Sequence, residues 1–404
     1  MEDSDDIYTS KHFSCQVHDL DKYIVVQAHT NFHHGKMYDC TGKEAEPKMV
    51  YLWICEDLPK AFDMRRQLEI FYALAPKNVA EPYCVGRLKH ADLKSVHNDY
   101  TSTLLEIPPE VKMLKTEKPC LITGQVSTLT FDKWLPNSNE QDSTLLFRSL
   151  FSTVGKFHQA KMSFGNIRAG IRITGKSPIF VIPAATEEED EGIRKDIGEL
   201  HDMLMESKIQ GFFEMELFDK LCKKCTQMEN GSFTYSGESL RQLSFIITHC
   251  PVVWTSEDRY NFIEKLEKYR DFNRSLYDLL TSDLFARAIL TVDFWTRLDT
   301  AAPSTSAFML QPLYTQGKNT SYTNMEGIRS FHKYAYAHNP PECPLWSDVE
   351  KVLYSVFPEA PASLYEIIVG QLHFSSNASL ITNTQSSMPS IIKFLQDGPY
   401  KFEF

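Results

Sequence analysis

Apolar and polar positions along this chain follow two periods, and the period changes part-way. Residues 23–28 and 49–55 are short apolar runs rich in β-branched and aromatic residues, parted by a Gly- and charge-containing stretch, which predicts two strands. Residues 61–74 carry apolar side chains at helical spacing, and Ala75-Pro76-Lys77-Asn78 ends that helix. Leu135-Pro136-Asn137-Ser138-Asn139 predicts a loop. From Ser143 the pattern turns helical, with Leu146, Leu150, Val154 and Phe157 spaced by four, four and three. Residues 167–181 read as a short apolar hairpin around Gly175. The run 186–191, TEEEDE, reads as a solvated acidic loop. Beyond it, 193–217, 218–228 and 238–248 read as helices, and 254 to about 373 as helices joined by Pro- and Ser-containing loops. No internal repeat stands out, and residues 374–404 receive no element.

Composition narrows the class. A chain of 404 residues, 42% hydrophobic and 24% charged, is a globular protein with room for two or three domains. The net charge of −11 means that the surface as a whole repels nucleic acid, so RNA binding would rest on a local basic patch, and DNA is not an expected partner. The acidic start, MEDSDDIYTS, is the reverse of a signal or transit peptide. No apolar run approaches the roughly 18 residues of a membrane span. Nine scattered cysteines fit reduced thiols, so a soluble cytoplasmic or nuclear protein is expected. Cys222 and Cys225 form a lone CxxC without a second ligand pair, so no metal site is expected.

The order of strand, Gly-containing turn, strand, helix, hinge, long helix, hairpin and helices resembles a protein kinase. Gly35-Lys36-Met37-Tyr38 resembles the end of a glycine-rich loop, and Val50-Tyr51-Leu52-Trp53 the strand that carries the ATP-binding lysine. Pro76-Lys77-Asn78-Val79 resembles the turn after the first helix of that fold. Phe157-His158 and then Phe164-Gly165-Asn166-Ile167-Arg168 resemble the stretch that runs into the catalytic loop. Asp196-Ile197-Gly198-Glu199-Leu200 resembles the helix start whose Asp pins that loop. The resemblance implies an α+β, bilobal kinase-like domain over 15–248, with an N-lobe at about 15–110 and a C-lobe at about 111–248.

The chemistry of that frame is absent. Phosphoryl transfer needs backbone amides and a Lys on the phosphates, an Asp base, and Asn plus Asp for magnesium. Thr30 and Phe32 stand for the first two glycines, Trp53 for the lysine and Gln67 for its glutamate partner. Asn166 stands for the base, Ile171 for the metal-binding Asn, and Ala184 for the metal-binding Asp. Too few residues separate Ala184 from Asp196 to form an activation loop. No kinase activity, nucleotide cofactor or metal is therefore expected.

A second resemblance starts at His249-Cys250-Pro251-Val252-Val253-Trp254. It is similar to the boundary at which the unfolded-protein-response kinase/endoribonuclease and RNase L pass into their all-α kinase-extension nuclease (KEN) domain. Glu257–Phe262, Trp295 with Leu298-Asp299, Asn324–Arg329, Phe357-Pro358 and Leu364-Tyr365 follow in the family's order, so a KEN-type domain is expected over 249–373. Such nucleases cleave RNA without metal, by attack of the 2′-OH on the neighbouring phosphate, which calls for an acid, a base and a cation. The resemblance places Tyr314 near the family's tyrosine-containing loop and Arg329 at its phosphate-binding arginine. Ser330 replaces the neighbouring Asn, and Tyr334 replaces the catalytic His. A Tyr near pKa 10 shuttles protons poorly at neutral pH. His332 is a substitute, but a helix turns it away from Tyr334; Lys333 and His338 lie nearby.

Two functions follow. One is a pseudoenzyme that binds, as a homodimer or a heterodimer with an active relative. The other is a metal-independent endoribonuclease with altered catalytic residues.

Overall fold

The computed structural model describes residues 11–17, 22–29, 32–39, 48–89, 118–272 (apart from 125, 128, 182, 184–188, 230 and 231), 325–338 and 345–374. The chain divides into two compact units, Met1–Asp142 with Thr153–Met203, and Ser143–Ser152 with Leu204–Phe404. Both helix and sheet are present, so the chain is α+β. No described helix is long and apolar enough to cross a membrane.

Unit 1 begins with six antiparallel strands, β1 (Lys11–Val17), β2 (Lys22–His29), β3 (Phe32–Asp39), β4 (Lys48–Ile54), β5 (Pro82–Lys89) and β6 (Lys118–Gly124). They close into a barrel in the order β1-β2-β3-β4-β6-β5, with β5 returning to β1 through Ser14 opposite Lys89. Closure leaves no unpaired edge. Helix α1 (Leu58–Leu74) interrupts the strands. Asp57 caps it by accepting the Lys60 amide, Pro59 starts it, and Ala61, Leu68 and Phe71 form its buried face.

After β6 come a short helix α2 (Phe131–Trp134), a 3-10 turn at Leu135–Asn137, and the long helix α3 (Glu140–Gln159). The Pro- and Asn-containing stretch predicted as a loop is thus wound into one tight turn. Asn139 caps α3 on the Asp142 amide. A one-turn helix α4 (Ile167–Gly170) leads into the hairpin β7 (Ile171–Thr174) and β8 (Ser177–Phe180), which turns at Gly175 with φ +64°. Phe180 exchanges backbone hydrogen bonds with Asn78 and Ala80, which ties the hairpin to the turn after α1. Beneath it Phe71, Phe157, Phe164 and Phe180 pack ring on ring at 4.5–6.3 Å, the aromatic centre of the unit.

Helix α5 (Glu189–Met205) carries the last residues of unit 1, which ends at Met203. It takes the last three residues of the acidic run into its first turn, where carboxylates offset the helix dipole. The helix predicted over 193–217 is two: α5 stops at Met205, and α6 (Phe212–Thr226) begins after Gly211, whose φ of +132° no side-chain-bearing residue adopts easily.

Unit 2 continues with the short hairpin β9 (Met228–Glu229) and β10 (Ser232–Phe233), α7 (Gly237–Thr248), a 3-10 turn at Pro251–Val253, and α8 (Ser256–Phe272). After the undescribed 273–324 come α9 (Met325–Ala337), α10 (Trp346–Val356) and α11 (Ala360–Phe374). Trp254 packs between Phe262 and Tyr365, and the Tyr365 hydroxyl donates to the Ile246 carbonyl at 2.7 Å. Residues on both sides of the 248/249 boundary read from the sequence therefore share unit 2. The tail from 375 lies outside the described residues.

Candidate functional site

Two constellations carry the sequence expectations, one in each unit. In unit 1, β4 places Tyr51 and Trp53 on one side of the strand, two residues apart. Their rings lie 4.7 Å apart, and Tyr51 packs with Ala80, Val126 and Val181 while Trp53 and Ile179 lean on the cluster. Arg172, from β7, sets its guanidinium over the Trp53 ring at 5.3 Å. That guanidinium is 4% exposed and donates to the carbonyls of Ala169 and Ile171 at 2.8 and 2.6 Å. Burial pushes the Arg172 pKa down, with the facing Tyr51 hydroxyl opposing. Burial pushes the Tyr51 hydroxyl well up, against the pull of Arg172. Tyr51, Trp53 and Arg172 thus form one packed cluster on the strand that the resemblance compares with the lysine-bearing strand of a kinase.

The loop before α4 is held from below. Asp196, wholly buried on α5, accepts the backbone amides of Phe164 and Gly165 at 2.7 and 2.6 Å. It also meets His158 Nε2 at 3.0 Å; a carboxylate accepts only, so that nitrogen donates. One turn further, Glu199 accepts the Arg168 amide at 2.9 Å. Burial raises the Glu199 pKa, with that amide opposing. Arg168 turns outward to Asp132 at 2.6 Å. Asn166 starts α4 without capping it, and Ile171 is fully buried at the root of β7. Gln67 is half-buried on α1, and Gly35 sits inside β3 opposite Val26 and Val50. Ala184 lies outside the described residues.

In unit 2, α9 carries three of the four candidate nuclease residues; Tyr314 lies outside the described residues. Arg329 is 1% exposed, with Nη2 3.2 Å from the Ser330 hydroxyl. His332, one turn on, is buried too, its ring 6.2 Å from Phe357 and 6.4 Å from Tyr336. Phe331 and Ala335 are likewise buried. Tyr334 is half-buried and packs on His338 at 4.5 Å, with Lys333 exposed beside it. The helix therefore separates Arg329 and His332, which face inward, from Tyr334, His338 and Lys333.

Sequence reasoning did not find Arg172, Glu199, or a buried cluster of Arg259, Tyr336 and Glu350 in unit 2. Each is a polar residue whose partner comes from a distant segment, so no local spacing marks it. No group of described His, Cys, Asp or Glu residues is arranged to hold a metal.

No family model matches the chain, and no curated protein matches it. Among solved structures, that of the Neurospora crassa PAN3 pseudokinase is similar over 81% of this chain and 86% of that one, at 10% identity and a TM-score of 0.35. A likeness this loose adds no argument, and the reading of function rests on the geometry above.

Proposed function

We propose that the chain is a pseudoenzyme, a degenerate kinase-like module joined to a KEN-like helical domain, which acts by binding rather than by phosphoryl transfer. The observation that supports it most is the packing around β4. Tyr51, Trp53 and Arg172 pack together on the strand where the resemblance expects the ATP-binding lysine, and Trp53 stands in place of that lysine. A triphosphate brought there would displace buried aromatic surface and meet no metal. Asp196 accepts the amides of Phe164 and Gly165, which supports the comparison with the Asp that pins a catalytic loop, and Asn166 follows where the base would be.

The partner in this reading is a second copy of the chain or an active relative, with RNA held on a local patch of unit 2. Cleavage of RNA by the Arg329, Tyr334, Tyr314 and His332 set is the alternative. The burial of Arg329 and His332 supports the binding reading, because a cation that neutralises a scissile phosphate must face it.

Thermal melting with millimolar MgATP tests that packing. A ligand at 100 times its dissociation constant adds about 2.7 kcal/mol of stability, which moves a melting point by several degrees. No shift is expected. A clear upward shift would show an open pocket and overturn the reading.

A further inference from the structure

We propose that the exposed face of α6 in unit 2 is where two copies of this chain dock, their α6 helices lying antiparallel about a two-fold axis at Lys220. This names the surface for the binding reading above, on which it rests. Phe212 is 74% exposed and Phe213 38%, and their rings meet edge to face at 5.4 Å, so the helix starts with two aromatic side chains in solvent. Just past its C-cap at Gln227, Met228 is 61% exposed. Single exposed apolar residues need no explanation. These do, once the charges between them are read.

Residues 212, 216, 220 and 224 form one i, i+4 row, the ridge that interlocks in the commonest packing of two helices. The row reads aromatic, acid, base, base. Lys220 is paired with Glu366 of α11, and Lys223 beside the row is paired with Asp219. Glu216 and Lys224 are exposed and make no ion pair or hydrogen bond among the described residues. They cannot meet each other, because eight residues of helix set them about 12 Å apart. An antiparallel copy centred on Lys220 brings Glu216 opposite Lys224 at two symmetric places and lays Phe212 toward Met228 at both ends. Each Lys220 at the axis carries Glu366 as its own counter-ion. A parallel copy would instead set acid against acid and base against base.

The face is therefore its own complement: apolar, acid, base, apolar reads the same when the direction is reversed and the signs exchanged. A surface that docks on itself about a two-fold axis needs that property, since each residue meets the counterpart of its partner. With a net charge of −11, two copies repel at a distance, and association requires a local match of this kind. The apolar ends supply the attraction, while the exposed charge pairs contribute little to affinity and fix the register.

Sedimentation velocity of the full chain from about 1 to about 100 µM reads the association, and a dimer should grow in with concentration. Glu216→Lys and Lys224→Glu each set like charges opposite at both symmetric places, and each should weaken the dimer about tenfold or more. An equal mixture of the two variants restores opposite charges at both places, so the dimer should return as a heterodimer. Phe212→Ser should abolish it. These side chains are exposed, so circular dichroism and melting should match the wild type. A dimer that ignores both charge reversals, or that mixing does not restore, overturns this face and leaves the homodimer reading standing. A chain that stays monomeric throughout overturns the proposal and gives the face to a partner of another sequence, while the pseudoenzyme reading stands or falls on the MgATP melting.

Discussion

Replacing Asp196 with Ala removes one carboxylate and strands three donors, the amides of Phe164 and Gly165 and the Nε2 proton of His158. Phe164, His158 and Asp196 are buried, where water cannot take over the bonds, while Gly165 is half-buried. Each stranded buried donor costs about 1–3 kcal/mol. The three share one acceptor and relax together, so the sum is best taken as about 3–5 kcal/mol. Against a domain stability of about 5–15 kcal/mol, that is a third or more of the whole. Asp196→Asn should be damaging too. One amide oxygen still accepts, while the NH₂ group is pressed against a backbone N–H.

Urea unfolding followed by circular dichroism gives the numbers. Asp196→Ala should lower the midpoint strongly, with Asp196→Asn between it and the wild type. Exchange of the Phe164 and Gly165 amides should quicken in both. A loss below about 1 kcal/mol for Asp196→Ala, with those amides still protected, would show that the loop is held by its aromatic packing and that the carboxylate is dispensable.

Gly192→Ala should destabilise unit 1 by about 1–3 kcal/mol, because the new methyl would lie 2.0 Å from the Ser163 Oγ and 2.7 Å from its Cβ. Ser163→Gly in the same chain should restore the melting point. In unit 2, Arg329→Ala should cost about 3 kcal/mol or more as a buried guanidinium is lost, whereas Lys333→Ala on the exposed side should leave melting unchanged. Cleavage of a stem-loop RNA that is lost in Lys333→Ala with unaltered melting would favour the nuclease reading over the pseudoenzyme.

The local elements were legible where they depend on local pattern. Strands β2 and β4, helix α1, the start of α3 and the Gly175 hairpin follow from alternation, helical spacing and turn residues within single segments. Asp196 was legible as well, since the resemblance marks it and the geometry gives it the loop amides. Closure of the barrel was not, because pairing Ser14 with Lys89 joins segments far apart in sequence. The break between α5 and α6 was hidden by apolar residues that keep helical spacing through 193–217, and only the backbone at Gly211 reveals it. The acidic run looked like a loop because charge density was weighed without the helix that follows. Arg172 was invisible for a simpler reason. Its flanks, Ile171 and Ile173, are those of an ordinary strand, and its ring partner lies on β4.

The ionisable residues of the described core share one disposition that bears on function. Arg172 turns toward Tyr51 and Trp53, Asp196 and Glu199 toward backbone amides, Arg259 and Glu350 toward each other, and Arg329 and His332 into the buried side of α9. An active site needs such groups half-buried, facing a cavity where a substrate atom can come within about 3 Å of them. A group committed to a partner in the fold can contribute to catalysis only by breaking that bond, at the cost of stranding it. Arg172, Asp196, Glu199, Arg259 and Glu350 thus join segments: a hairpin to a barrel, a loop to a helix, and helices to one another. Of the three positions that the resemblance compares with kinase residues, Ile171 is wholly buried while Trp53 and Asn166 are half-buried.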